Sequence, residues 1–97
     1  MMMTDKERRP RVYAAAQEAF DNVPEHIRDD LEDALDWAKQ ALTNHEGSGH
    51  RFSLIYQNGG FMCCFCKPQW NADHASQPMP EAPEAIVMAV CEYLNGV

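Results

Sequence analysis

Arg51-Phe52-Ser53-Leu54-Ile55-Tyr56-Gln57-Asn58-Gly59-Gly60-Phe61-Met62-Cys63-Cys64-Phe65-Cys66-Lys67 is the stretch that decides the fold. Two apolar runs flank Asn58-Gly59, and a type I′ turn needs positive φ at both central residues, which Asn and Gly tolerate best. A two-residue turn there pairs Tyr56 with Phe61, Leu54 with Cys63 and Phe52 with Phe65. Side chains alternate along a strand, so all six fall on one face, and the register predicts one aromatic core layer. The other face carries Arg51, Ser53, Ile55, Met62, Cys64 and Cys66 and is expected to be less buried. The turn accounts for Asn58-Gly59-Gly60, which is therefore not read as a phosphate cradle.

Upstream, the apolar period lengthens from two to 3.6 residues. Pro10 suits the first position of a helix, where its missing N–H costs nothing. Val12, Ala16, Ala19, Phe20 and Val23 recur at helical spacing after it. Asn22-Val23-Pro24 interrupts, because the residue before a proline disfavours α geometry. A second, continuous helix is predicted from about Pro24 to Thr43, with the apolar stripe Ile27, Leu31, Ala34, Leu35, Ala38 and Leu42. Asn44 to Gly49 reads as a stop and a flexible loop. Residues 1–9 are charged and aperiodic, which predicts a disordered N-terminus and leaves 10–97 as the single domain.

Downstream, Pro68 ends the return strand, and residues 70–76 fit either a short third strand or an irregular loop. A Pro-rich connector, Gln77 to Pro83, leads to a last helix from Glu81 or Glu84 to Asn95. Ile86, Ala89, Val90, Tyr93 and Leu94 are its expected inner face, and Gly96 its terminator. The order α-α-β-β-(β)-α belongs to the α+β class. Two N-terminal helices and a C-terminal helix would pack on a small antiparallel sheet of two or three strands.

At 97 residues the chain has the length of one domain, and its 45% hydrophobic content is that of a folded protein. Fifteen acidic against eight basic residues leave a net charge of −7. That balance argues against direct nucleic-acid binding, which needs Lys and Arg to displace counterions. It argues equally against an anionic membrane surface and suits a partner with a basic surface. No apolar run approaches the roughly 18 residues of a membrane span, and nothing resembles a signal peptide, so a cytoplasmic location with reduced cysteines is expected.

The cysteines are the first candidates for chemistry. Cys64 and Cys66 share a strand face, His74 follows, and Cys91 lies on the last helix. Zinc favours four thiolate or imidazole ligands in a tetrahedron. Cys63 and Cys66 have knuckle spacing, but a strand points them to opposite faces, and no second ligand pair has zinc-finger spacing. No metal or cofactor is therefore expected, and a zinc- or cysteine-dependent small protein stands as an alternative. A nucleophilic Cys63, Cys64 or Cys66, with His74 or His50 and Asp73, would need a helix N-terminus or a cation to lower its pKa. Neither is in view, and no nucleophile-elbow, Walker or dinucleotide motif occurs. No catalytic residue is assigned, and the chain is not expected to be an enzyme. His26, His45 and His50 lie in polar or loop segments and are expected to be exposed.

The acidic residues carry the partner reading. Glu25, Asp29, Glu32 and Asp36 follow i, i+4, i+7, i+11 opposite the apolar stripe, with Asp33 beside them. On one helix they would draw a line of negative charge about 16 Å long, relieved locally by Arg28 and Lys39. Most such faces are simply solvated. The sharper reading is a contact for a basic groove, with Trp37 at the shoulder as an anchor or as a cap on the core. A sheet of few strands also leaves open edges, through which a homodimer can form.

Three segments, Phe61–Cys64, Trp70–Ala72 and Pro83–Ala89, resemble small phage and prophage αββα proteins of the "phage ABA sandwich" type, over about a third of the chain. The Pro-Glu-Ala-Ile start of the last helix is also similar to HicB-like antitoxins. The first resemblance implies a mobile-element accessory protein. Combined with the acidity, it implies one that binds and blocks a host protein, as anti-CRISPR inhibitors do. The second implies a homodimeric regulator of antitoxin type.

Overall fold

A computed structural model of the chain describes residues 10–70 and 73–96. The expected N-terminal tail, and Asn71 and Ala72 of the resemblance, lie outside these residues. The elements are α1 (Pro10–Asn22), α2 (Glu25–Arg28), α3 (Leu31–Glu46), β1 (Arg51–Gln57), β2 (Gly60–Cys66), β3 (His74–Ala75) and α4 (Ala82–Leu94). The class is α+β.

The hairpin has the register that its turn dictates: Tyr56 faces Phe61, Leu54 faces Cys63 and Phe52 faces Phe65. Asn58 (φ 57°) and Gly59 (φ 79°) supply the two left-handed residues. β3 adds a two-residue third strand, pairing Phe65 with His74 and Cys64 with Ala75. The sheet order is β1-β2-β3, all antiparallel, which leaves β1 as an edge among the described residues. A further bridge joins Phe61 to Met79 by reciprocal backbone hydrogen bonds of 2.7 and 2.8 Å.

The centre of the fold is α4. Every residue from Ala85 to Glu92 is buried, because β2 packs on one side of the helix and α1 and α3 on others. Its inner face therefore extends to Val87, Met88 and Cys91, while Leu94, expected to face inward, is 37% exposed at the helix end. Each wholly buried Val or Met here is worth roughly 1.5–3 kcal/mol, and an all-round apolar helix is what a central position selects. Phe65, 1% exposed, joins this helix to the sheet, with Phe52, Trp70, His74 and Tyr93 at ring-centroid distances of 5.8, 6.0, 5.2 and 5.2 Å.

The structure corrects two further expectations. The helix predicted over Pro24–Thr43 is two helices, broken at Asp29–Asp30. Asp30 is extended (φ −121°, ψ 126°), and its carboxylate accepts the Asp33 N–H at 2.9 Å, capping α3. Capping there satisfies a helix-end donor that an uninterrupted helix would not have exposed. α3 then runs to Glu46, three residues beyond the expected stop. The aromatic layer of the hairpin is also only half covered. Cys63 and Phe65 are buried and Phe52 and Phe61 half-buried, but Leu54 and Tyr56 are exposed.

Candidate functional surface

The thiols come together least. Cys63, Cys64 and Cys91 are buried and Cys66 is half-buried, all of them free. Burial, then the neighbouring Cys64, pushes the Cys63 thiol up to about 12. Burial and the Glu92 charge do the same to Cys91. Cys64 and Cys66 are raised by burial and by Asp73, which also bonds Cys66. Because the thiolate is the nucleophile, raised thiols are poorly reactive near neutral pH. Among the described residues no group of three or more His, Cys, Asp and Glu side chains could hold a metal ion. His74 lies against Phe65 and Tyr93, and burial holds its pKa down against a hydrogen bond to the Ala89 backbone.

Titratable groups instead converge on Glu46, the last residue of α3. Tyr93 donates its hydroxyl to Glu46 Oε1. His50 Nε2 lies 3.0 Å from Oε2, and Lys67 Nζ lies 3.7 Å from Oε2 and donates to the Glu46 carbonyl at 2.9 Å. Burial raises the Glu46 carboxyl, but the bonds from Tyr93 and His50 and the charges of His50 and Lys67 outweigh it and hold it below 4.5. The expectation of an exposed His50 is overturned. Its side chain is only 3% exposed and stacks edge-on to Phe65 and Trp70. Glu46, His50, Lys67 and Tyr93 thus tie α3 and α4 to the residue before β1 and the residue after β2 at one corner. A hollow of about 250 Å³ beside them is lined by Lys39, Thr43, Ser48, Gly49 and His50. Its walls are exposed chain apart from His50, whose Nε2 Glu46 already occupies.

The predicted partner-binding residues divide. Glu25 opens α2 and Asp29 closes it, while Glu32, Asp33 and Asp36 stand on the first turns of α3. All five are exposed. The break at Asp30 means that they do not form one straight line. Among the described residues none of the five has a side-chain ion pair, since the salt bridges gather on Glu46. Arg28 does not shield them. Its Nε donates to the Val23 carbonyl at 2.9 Å, and its guanidinium lies 5.1 Å from the Phe20 ring centroid. Glu32 and Asp33 also complement the positive end of the α3 dipole. Trp37 is half-buried and packs against the core, so it caps the core edge more than it projects from it.

Sequence reasoning missed an apolar trough of about 160 Å³ beside this acidic face. Leu31 and Leu35 of α3 form one wall, Phe52, Ser53 and Leu54 of β1 the other, and Ile86 of α4 contributes between them. Glu32 and Asp36 each follow a trough leucine by one residue, about 100° round the helix. The only signal in the sequence was the alternation of β1 itself, which names a face without saying what covers it. Comparison with protein-family models, curated proteins and solved structures found no match.

Proposed function

We propose that this chain is a noncatalytic protein-binding module that blocks a macromolecular partner through the acidic face of α2 and α3. The observation that carries the reading is the exposure of Glu25, Asp29, Glu32, Asp33 and Asp36 without side-chain ion pairs among the described residues. Uncompensated surface charge raises the encounter rate with an oppositely charged surface and selects for it. A net charge of −7 makes that partner basic. The resemblance to phage accessory proteins supplies a setting, a host protein in the host cytoplasm. The zinc- or cysteine-dependent alternative draws no support from the scattered, protonated thiols.

The test is affinity capture from host lysate with the chain and with its Asp29→Lys, Glu32→Lys, Asp36→Lys variant, over a salt series. A specific partner retained by the first and lost by the second, with retention falling as salt rises, is expected. Equal retention of the same partner by both would refute the acidic face as the contact.

A further inference from the structure

We infer that the open edge of β1 receives an extended segment of the partner as a fourth strand, apolar on alternate side chains and flanked by Lys or Arg. The inference deepens the protein-binding reading above and rests on it. Its first support is the backbone. In a hairpin closed by a two-residue turn, Gln57 and Gly60 exchange hydrogen bonds, and every second pair back along the strands does the same. Ser53, Ile55 and Gln57 therefore spend their N–H and C=O groups on β2. The groups of Phe52, Leu54 and Tyr56 point away from it. β2 shows the matching pattern: Phe61 bonds Met79, and Cys63 bonds Ser76, both on the side away from β1. Among the described residues Phe52, Leu54 and Tyr56 thus present three unpaired donor and acceptor sets, on a strand without proline or bulge.

The side chains supply the second support. Leu31, Leu54 and Tyr56 are 49%, 40% and 67% exposed. Edge strands in soluble proteins are ordinarily blunted by charge, proline or a bulge. β1 carries a single charge, Arg51, at its first position. Phe52 and Leu54 line the same trough as Leu31 and Leu35, so a fourth strand added at the β1 edge would lie next to that trough. Alternate apolar side chains of that strand would enter the trough, the usual source of specificity when a peptide extends a sheet.

The choice of occupant follows from α3. Two copies joined through β1 would bring Glu32 and Asp36 of both chains, each of net charge −7, toward one seam. A lone segment that carries Lys or Arg meets no such repulsion. The neighbouring carboxylates set its charge: Glu32 and Asp36, exposed and each one position after a trough leucine, attract Lys or Arg at the ends of the segment.

The experiment titrates ¹⁵N-labelled chain with the synthetic peptide acetyl-Lys-Lys-Val-Ser-Val-Ser-Val-Lys-Lys-amide. Saturable shifts of the Phe52, Leu54 and Tyr56 amides are expected, with affinity falling as salt rises. Leu54→Pro removes an N–H that β2 does not use, a substitution edge strands tolerate. It should weaken binding about tenfold, the worth of one or two net hydrogen bonds. A peptide N-methylated on its edge-facing amides should bind the unaltered chain as weakly, which keeps the test independent of any folding defect. Glu32→Lys with Asp36→Lys should lessen the salt dependence. Binding unaffected by both Leu54→Pro and N-methylation would overturn the strand inference while leaving the acidic face standing. Edge-dependent binding without salt dependence would overturn the acidic face instead. Concentration-dependent dimerisation abolished by Leu54→Pro would assign the edge to a second copy and overturn the inference.

Discussion

Tyr93 donates its hydroxyl to Oε1 of Glu46, a carboxylate 47 positions earlier in the chain. With His50 and Lys67 on the other oxygen, that carboxylate joins the end of α3 to the residues that flank β1 and β2 and to α4. Glu46→Gln removes the charge facing Lys67, which is 8% exposed and, among the described residues, keeps only its bond to the Glu46 carbonyl. The expected cost is about 1–3 kcal/mol, the range for breaking a partly buried, charge-assisted hydrogen bond. Urea denaturation of Glu46→Gln, Tyr93→Phe and the double variant checks it. The two effects should be less than additive, because Glu46→Gln discharges the acceptor of the same bond that Tyr93→Phe removes.

The same corner shapes the pH profile. Glu46 titrates below 4.5 when folded, so its contribution is complete above that value and is lost as pH falls through the lowered one. Burial holds His74 below 6.5, so the unfolded chain protonates first and stability begins to fall once pH drops under 6.5. On the alkaline side Cys63 and Cys91 are raised from 9.0, and Tyr93 from 10.0, each to about 12. Their protonated forms favour the fold, so stability is complete below pH 9 and is lost as pH rises through about 12. Melting temperature should therefore be flat from 6.5 to 9 and fall on both sides. Tyr93→Phe should lessen the alkaline fall, and a melting temperature that rises above pH 9 would contradict these assignments.

Two adjacent glycines should respond differently to alanine. Gly59 needs its positive φ of 79° but has nothing within 4 Å of a new Cβ, so Gly59→Ala should cost about 1 kcal/mol. At Gly60 a new Cβ would lie 2.8 Å from Pro78 Cβ and 3.2 Å from the Met79 backbone. Gly60→Ala should therefore cost about 2–3 kcal/mol, as overpacking does, and should loosen the Phe61–Met79 bridge. Equilibrium denaturation of the two variants gives the order directly.

The kink at Asp29–Asp30 is held by one side chain. Asp30→Ala removes the acceptor for the Asp33 N–H and should lower stability by about 1 kcal/mol, the ordinary worth of an N-cap. Asp30→Ser, which can still cap, should lose much less. Equal losses in thermal melts of the two variants would show that the cap does not hold the kink.

These elements also show where sequence reading succeeds and where it stops. The hairpin register was legible to the residue because turn chemistry is local. The break in the second helix had a local signal too, since Asp30 stands three residues before the acidic Asp33, but the unbroken apolar stripe Ile27–Leu42 outweighed it. The unbroken apolar run of Ala85 to Cys91 indicated a helix buried on all sides, although period counting assigned it one face. The Glu46 corner was not legible: a carboxylate beside Gly47-Ser48-Gly49 reads as solvated loop, and its partners lie 4, 21 and 47 positions away. The trough was hidden for a related reason. Alternation places Leu54 and Tyr56 on a face, but only the position of α3 decides whether that face is filled.

Residue-resolved amide hydrogen exchange on the free chain tests the open β1 edge most directly. Slow exchange at Ser53, Ile55 and Gln57, alternating with fast exchange at Phe52, Leu54 and Tyr56, is the predicted result. Uniform protection along all of β1 would mean that the edge is already covered, and would contradict the account.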